Sequence, residues 1–428
     1  MKKSFLSATW FPWFVCGIGA LFYAYEYFLR VTPSVMQTEL MHTFSINNAL
    51  FGFLSACYYY AYTPMQIPVG VLMDHYGPRR LLTVACLFCV FGTLLFSVQV
   101  FAVAALGRFL VGFGSAFAFV GVLKLAALWL PKNRFALIAG LATALGMLGP
   151  TLGDILLTPM VHIVGWHDTV FITAIIGVIL TGIIWFYVSD QGIMKEASID
   201  QDIPKVNGLR AQIQHLAHML KFRQVWLSGL IAACLFLPIT VFAELWGIPY
   251  LEQAKGLSPV YASWINPLLF IGFSIGGIVF GYLSDKINRR KGIIILGNFL
   301  ALIAVSLLIY VSHLSVLMIC VLLFVLGLST GVEVITFAVS RESVSEHATG
   351  TAIAMTNFLT MLGGMIFQPI LGQLLDFHAL NISHHAVTNL GANDYQFALT
   401  VIPVCLLFAL ILCCFLYETG GGEYNIEN

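Results

Sequence analysis

Long apolar runs broken by short polar turns fill almost the whole chain. Each run is about the ~20 residues that cross a bilayer as a helix. They predict twelve transmembrane helices at roughly 12–40, 47–72, 80–98, 102–130, 135–160, 167–188, 225–250, 260–284, 292–311, 314–340, 348–376 and 394–417. Most connections are short enough to make neighbours antiparallel. Two are longer, a polar stretch at about 190–223 and a loop near 377–393. Within the first, Leu209, Ile213, Leu216 and Leu220 recur at helical spacing opposite Arg210, Gln214 and Lys221, as in an amphipathic helix lying on a membrane surface. The pattern therefore reads as a six-helix bundle over 1–189, a linker over 190–223, a second six-helix bundle over 224–418 and a disordered tail over 419–428.

Composition agrees with an all-α membrane protein. Hydrophobic residues make up 59% and charged ones only 9%, which excludes a soluble domain of this length. A formal net charge of zero gives no basis for a nucleic-acid partner. The basic residues are strongly one-sided. With the N-terminus inside, Lys2, Lys3, Arg79, Arg80, Lys132, Arg134, Lys195, Lys205, Arg210, Lys221, Arg223, Lys286, Arg289, Arg290, Lys291 and Arg341 all fall on one side, and Lys255 alone on the other. The positive-inside rule then puts both termini in the cytoplasm of what reads as a bacterial inner membrane. The run after Lys2 and Lys3 is too long for a removable signal. The nine cysteines lie in apolar segments, so Cys86 and Cys89 read as packed thiols with no metal or redox role. His378, His384 and His385 read as a solvated loop without an acidic partner.

One polar turn occurs twice. Gly70, Leu72, Asp74, Gly77, Arg79 and Arg80 are echoed by Gly281, Leu283, Asp285, Arg289 and Arg290, with Asp285 lying 211 positions after Asp74. An interval close to half the chain implies two repeated halves. The pattern resembles the signature loop of the major facilitator superfamily, and the resemblance covers essentially the whole chain. It implies two pseudo-symmetric six-helix bundles, a central cavity lined by the first, fourth, seventh and tenth helices, and transport without enzyme activity or cofactor, driven by a proton gradient. In such a monomer the two loops, through Asp74 with Arg80 or Asp285 with Arg289, would latch the cytoplasmic side when the outer side is open.

Charges inside the membrane are the informative residues, because each costs at least ~2.5–3.5 kcal/mol to insert. Glu26 and Arg30 lie in the first span, Arg108 and Lys124 in the fourth, Glu244 in the seventh and Glu333 in the tenth, with Asp154 in the fifth. Except for Asp154, they fall on the same member of each three-helix repeat. Glu26 and Arg30, four apart, are either a structural pair or part of a cavity. Lys124 could snorkel, Glu333 could pair with Arg341, Glu244 could be rim, and Asp154 could accept a helix-packing hydrogen bond. Arg30, Tyr58, Tyr59, Tyr62, Lys124, Glu244, Asn266 and Glu333 form the expected substrate site, and Glu26, Arg108 and Glu333 the expected proton-coupling set. Buried amides such as Asn266 also suit interhelical hydrogen bonds.

Bases on one half facing acids on the other suit a zwitterion. The layout is similar to that of proton-coupled peptide transporters. The segment around Glu26 resembles bacterial phagosomal amino-acid transporters, and Arg30 to Ser34 is similar to organic-anion symporters, in which such an arginine binds a carboxylate. The leading expectation is proton-coupled uptake of an amino acid or short peptide. An organic-anion symporter, a nucleoside or drug transporter and a transporter-like sensor are the alternatives. Gly140, Gly146, Gly149, Pro150 and Gly153 resemble an exporter glycine motif, although close helix contact explains them equally well.

Overall fold

The computed structural model describes residues 10–130, 135–190, 222–345 and 348–419, with no side-chain detail for 135–139. The described residues are helices joined by turns and short irregular connections, with no strand among them. The helices are α1 (Phe11–Phe44), α2 (Asn48–Met65), α3 (Pro78–Phe96), α4 (Phe101–Trp129), α5 (Phe135–Val164) and α6 (Trp166–Tyr187), then α7 (Arg223–Gln253), α8 (Pro259–Ile287), α9 (Lys291–Tyr310), α10 (Val316–Glu342), α11 (Thr349–Asn381) and α12 (Ala392–Cys414). Eleven of these are long and apolar enough to cross a membrane. The exception is α2. Expected to run unbroken to about residue 72, it stops at Met65 and resumes as Val69–Tyr76, because Pro64 and Pro68 bracket the break. Most of the expected linker, its amphipathic helix and the tail lie outside the described residues.

Several helices are interrupted within their span. In α1 the break follows Thr32–Pro33, in α4 it is at Ala116–Phe117, in α8 at Asn266–Pro267 and in α10 at Gly331–Val332. In α7 the turns over Pro238–Trp246 are widened to π-helix. Each interruption frees backbone carbonyls at a depth where lipid cannot hydrogen-bond them, so side chains from neighbouring helices must do so. Gln368 Nε2 donates to Thr240 O at 2.7 Å and Asn266 Nδ2 to Ala243 O at 2.8 Å, both on the widened part of α7.

The first six helices meet the last six mainly at the end far from the basic turns. There α2 crosses α11 with backbone against backbone: a Cβ on Gly372 would lie 2.2 Å from Asn48 O. Asp376 of α11 accepts from Asn48 N (3.2 Å), Ala49 N (2.9 Å) and Asn48 Nδ2 (2.9 Å), capping the start of α2 with a carboxylate from the other half. Phe51 packs edge-on against Trp246, and Asp154 Oδ2 accepts from Asn266 Nδ2 at 2.6 Å, joining α5 to α8. The glycine run of α5 serves contact with α1, since a Cβ on Gly149 would meet Ala24 O at 2.1 Å.

At the basic end the halves part around a cavity of about 710 Å³, and Gln66 to Asn357 (2.9 Å) bridges them there. The two repeated turns are closed within their own halves. Gly77 takes φ +80° with Asp190 against it, and Asn288, its counterpart in the second copy, takes φ 56°. Arg79 N donates to Asp190 Oδ1 at 2.8 Å while its guanidinium stacks on Trp185. With the basic end open, the turns make pairs other than those expected of the latch. Asp74 pairs with Lys124 at 2.5 Å and leaves Arg80 exposed. Asp285 pairs with Arg290, not Arg289, at 2.5 Å, and Arg290 also binds Glu342 at 2.9 Å. Those two carboxylates hold the Arg290 guanidinium above its usual pKa against the opposing effect of burial.

The histidine loop is more ordered than expected. His378 Nδ1 lies 2.6 Å and His385 Nε2 3.1 Å from Asp394, which also caps Gly391 N, so an acidic partner is present. Cys86 and Cys89 are unpaired and buried, facing Gly177 O and Val111 O.

Candidate functional site

Arg30 is the centre of a buried charge network within the first span. It stands two residues before the Thr32–Pro33 break, and Pro33 has no N–H to offer Leu29 O. Arg108 of α4 supplies the missing donors, Nη1 to Leu29 O at 2.8 Å and Nη2 to Arg30 O at 3.1 Å. The expected coupling residue thus holds the backbone that presents Arg30.

Around the Arg30 guanidinium, Nη2 donates to both Glu26 oxygens at 3.2 Å and to Tyr58 Oη at 2.8 Å, and Tyr58 Oη donates to Glu26 Oε2 at 2.8 Å. Nη1 faces Glu244 Oε1 on α7 at 3.5 Å, and Tyr59 donates its hydroxyl to Glu244 Oε2. The guanidinium carbon sits 3.8 Å from the ring centre of Tyr27, 4.9 Å from Tyr58, 5.0 Å from Tyr62 and 5.8 Å from Tyr59. Four rings and two carboxylates therefore enclose one cation. Glu26, Arg30 and Glu244 are at most 1% exposed. Arg30 Nε and Nη1 and Glu244 Oε1 have no hydrogen-bond partner, so the Nη1 corner of the guanidinium, which faces α7, is unsatisfied.

The network does not open into the cavity. Tyr27 and Tyr62 line the cavity and also touch Arg30, so their rings separate the two. Of the expected site residues, Arg30, Tyr58, Tyr59, Tyr62, Glu26 and Glu244 come together. Three expected ligands do not join them. Lys124 is at the basic end with Asp74; Asn266 is committed to Asp154 and Ala243 O; Glu333 lines the cavity. Glu333 opens the second half of α10 and makes no ion pair with Arg341 or another cation among the described residues. A single vestibule shared by Arg30, Lys124 and Glu333 is therefore not what the chain builds. Tyr27 and Asp376 were missed: Tyr27 reads as one more apolar face residue, and Asp376 sits near the end of its span.

The family profile described as Major Facilitator Superfamily matches residues 16–368 and again 245–426. The chain belongs to this superfamily. It is a multi-pass membrane transporter of the facilitator fold, not an enzyme. The facilitator is 25% identical over 332 residues to the probable galactarate/D-glucarate transporter GudP of Bacillus subtilis (strain 168), covering 68% of this chain and 70% of that one. It is 23% identical over 285 residues to the probable sulfoacetate transporter SauU of Cupriavidus necator, covering 65% and 66%. It is 22% identical over 428 residues to the lysosomal dipeptide transporter MFSD1 of Danio rerio, covering 94% and 85%. Among solved structures it resembles a bacterial homolog of the human lysosomal transporter Spinster in an inward-facing, unoccupied conformation, with TM-score 0.76 and 14% identity over 96% of this chain and 97% of that one.

Proposed function

We propose that this facilitator is a proton-coupled symporter of small organic anions, with Arg30 as the group that binds the anion. This departs from the amino-acid or peptide reading. The observation that carries it is the Arg30 guanidinium, buried, with Nε and Nη1 unpartnered beside a carboxylate from the other half of the molecule. A solute carboxylate or sulfonate would accept from Nη1 in the place of Glu244 Oε1. Relatives named for galactarate, D-glucarate and sulfoacetate support the reading. With the basic end cytoplasmic, the facilitator is open inward and closed outward.

The coupling follows from charge. Glu26 shares the helix of Arg30, whereas Glu244 sits on α7, so the Arg30–Glu244 contact must part when the far end opens. An incoming anion takes the place of Glu244 on the guanidinium. A carboxylate freed in so dry a site gains affinity for a proton, so one proton enters with the anion through Glu244 or Glu26. Glu26→Gln is expected to abolish proton-driven uptake into vesicles while counterflow exchange survives; equal loss of both would make Glu26 a structural partner only. Net solute accumulation separates this reading from a sensor, and the direction of proton flow separates it from an exporter. A dipeptide or amino acid is the second reading, favoured by the unpaired Glu333 in the cavity and by the similarity to MFSD1 along 94% of the chain.

A further inference from the structure

The cavity below Arg30 has an unusual wall for a carrier of sugar acids. Tyr23 and Tyr27 of α1, Phe119 of α4, Phe236 of α7, Phe273 of α8 and Phe337 of α10 turn their rings toward one space of about 710 Å³. The wall is mostly apolar; its neutral hydrogen-bonding groups are the hydroxyls of Tyr23, Tyr27, Tyr62, Thr143 and Thr351 and the amides of Gln66 and Asn357, which join at 2.9 Å and leave Gln66 Nε2 unpartnered. The ionic side chains on the wall are Glu333 and Asp74, both acidic, and Asp74 is held by Lys124. No basic side chain lines it among the described residues. Arg30 stands behind Tyr27 and Tyr62, at the closed end.

We infer that the solute carries a single anionic group on an aromatic or bulky apolar body, the acid reaching Arg30 once the Tyr27 and Tyr62 rings move aside and the body lying among the other rings. The inference rests on the reading of Arg30 as anion ligand. A six-carbon aldaric acid presents four hydroxyls and a second carboxylate. Each hydroxyl stripped of water without a partner is penalised, and the second carboxylate would face Glu333. An aromatic or branched body has the opposite balance, since burying it among rings is favourable and asks for no polar partner. Pockets of this size bury most of a small ligand in this way.

Calorimetric titration of the purified full chain in lipid nanodiscs tests this with 3-phenylpropionate, hexanoate, D-glucarate and sulfoacetate as probes. The expected result is 3-phenylpropionate binding at least tenfold tighter than D-glucarate. Phe337→Leu should weaken 3-phenylpropionate about fivefold or more without lowering the melting temperature of the ligand-free protein. Phe337→Tyr, which keeps the ring, should bind as the parent does. Arg30→Lys should weaken every acid that binds. D-glucarate binding as tightly as 3-phenylpropionate, and lost in Arg30→Lys, would overturn the apolar-body inference and leave the anion reading standing. Failure of all four acids to bind would overturn both.

Discussion

Arg108 and Tyr58 set how Arg30 is presented. Arg108 closes two backbone carbonyls with one planar fork, a geometry lysine cannot copy. Arg108→Lys should lower the stability of the purified facilitator by about 1–3 kcal/mol, the range for a buried group left unpartnered, read as a drop in melting temperature. It should also weaken anion binding without altering which anions bind. Unchanged melting would show that Leu29 O and Arg30 O find other donors. Tyr58→Phe removes the hydroxyl that ties Glu26 to Arg30, and by the same reasoning should leave a functional Arg30 in a looser pair, with transport reduced and not abolished. The in-membrane charges were legible because apolar spans make every ion conspicuous. Their partners were not: nothing in spacing tells that Glu244 takes Tyr59, or that Lys124 reaches Asp74 instead of Arg30.

At the scale of elements, the polar residues inside the spans sit where helices fail to be regular. Arg30 precedes the break in α1, Glu244 lies on the widened turns of α7, Asn266 is at the break in α8 and Glu333 opens the second piece of α10. Several breaks are marked by prolines, at Pro33, Pro68, Pro238 and Pro267, so they could have been read from the chain; the breaks at Ala116–Phe117 and Gly331–Val332 carry no proline. The far-end closure depends on α2 and α11. Gly372→Ala would push a methyl into Asn48 O, and Asp376→Asn would remove the charge that caps α2. Hydrogen–deuterium exchange of the Asn48 and Ala49 amides should rise about tenfold in either variant, equivalent to about 1.4 kcal/mol. Exchange left at the parent rate would mean that the closure is held elsewhere.

For the whole molecule, the two halves are joined at one end and apart at the other, as alternating access requires. That outline was legible because ~20-residue runs, a repeated turn and one-sided basic residues all report on it. The state in which the halves meet was not, since the same contacts are encoded for both arrangements. Orientation gives a direct check. In a cysteine-free background, Phe337→Cys should react with a membrane-impermeant maleimide in inverted vesicles and be protected in intact cells; labelling in intact cells alone would reverse the topology.

The screen formed by Tyr27 and Tyr62 bears on inhibition. A neutral aromatic compound small enough to fill the chamber could jam the rocking of the halves without ever contacting the guanidinium. Such a blocker would act from the cytosol only, would be indifferent to membrane voltage, and would not be relieved by raising the concentration of cargo outside.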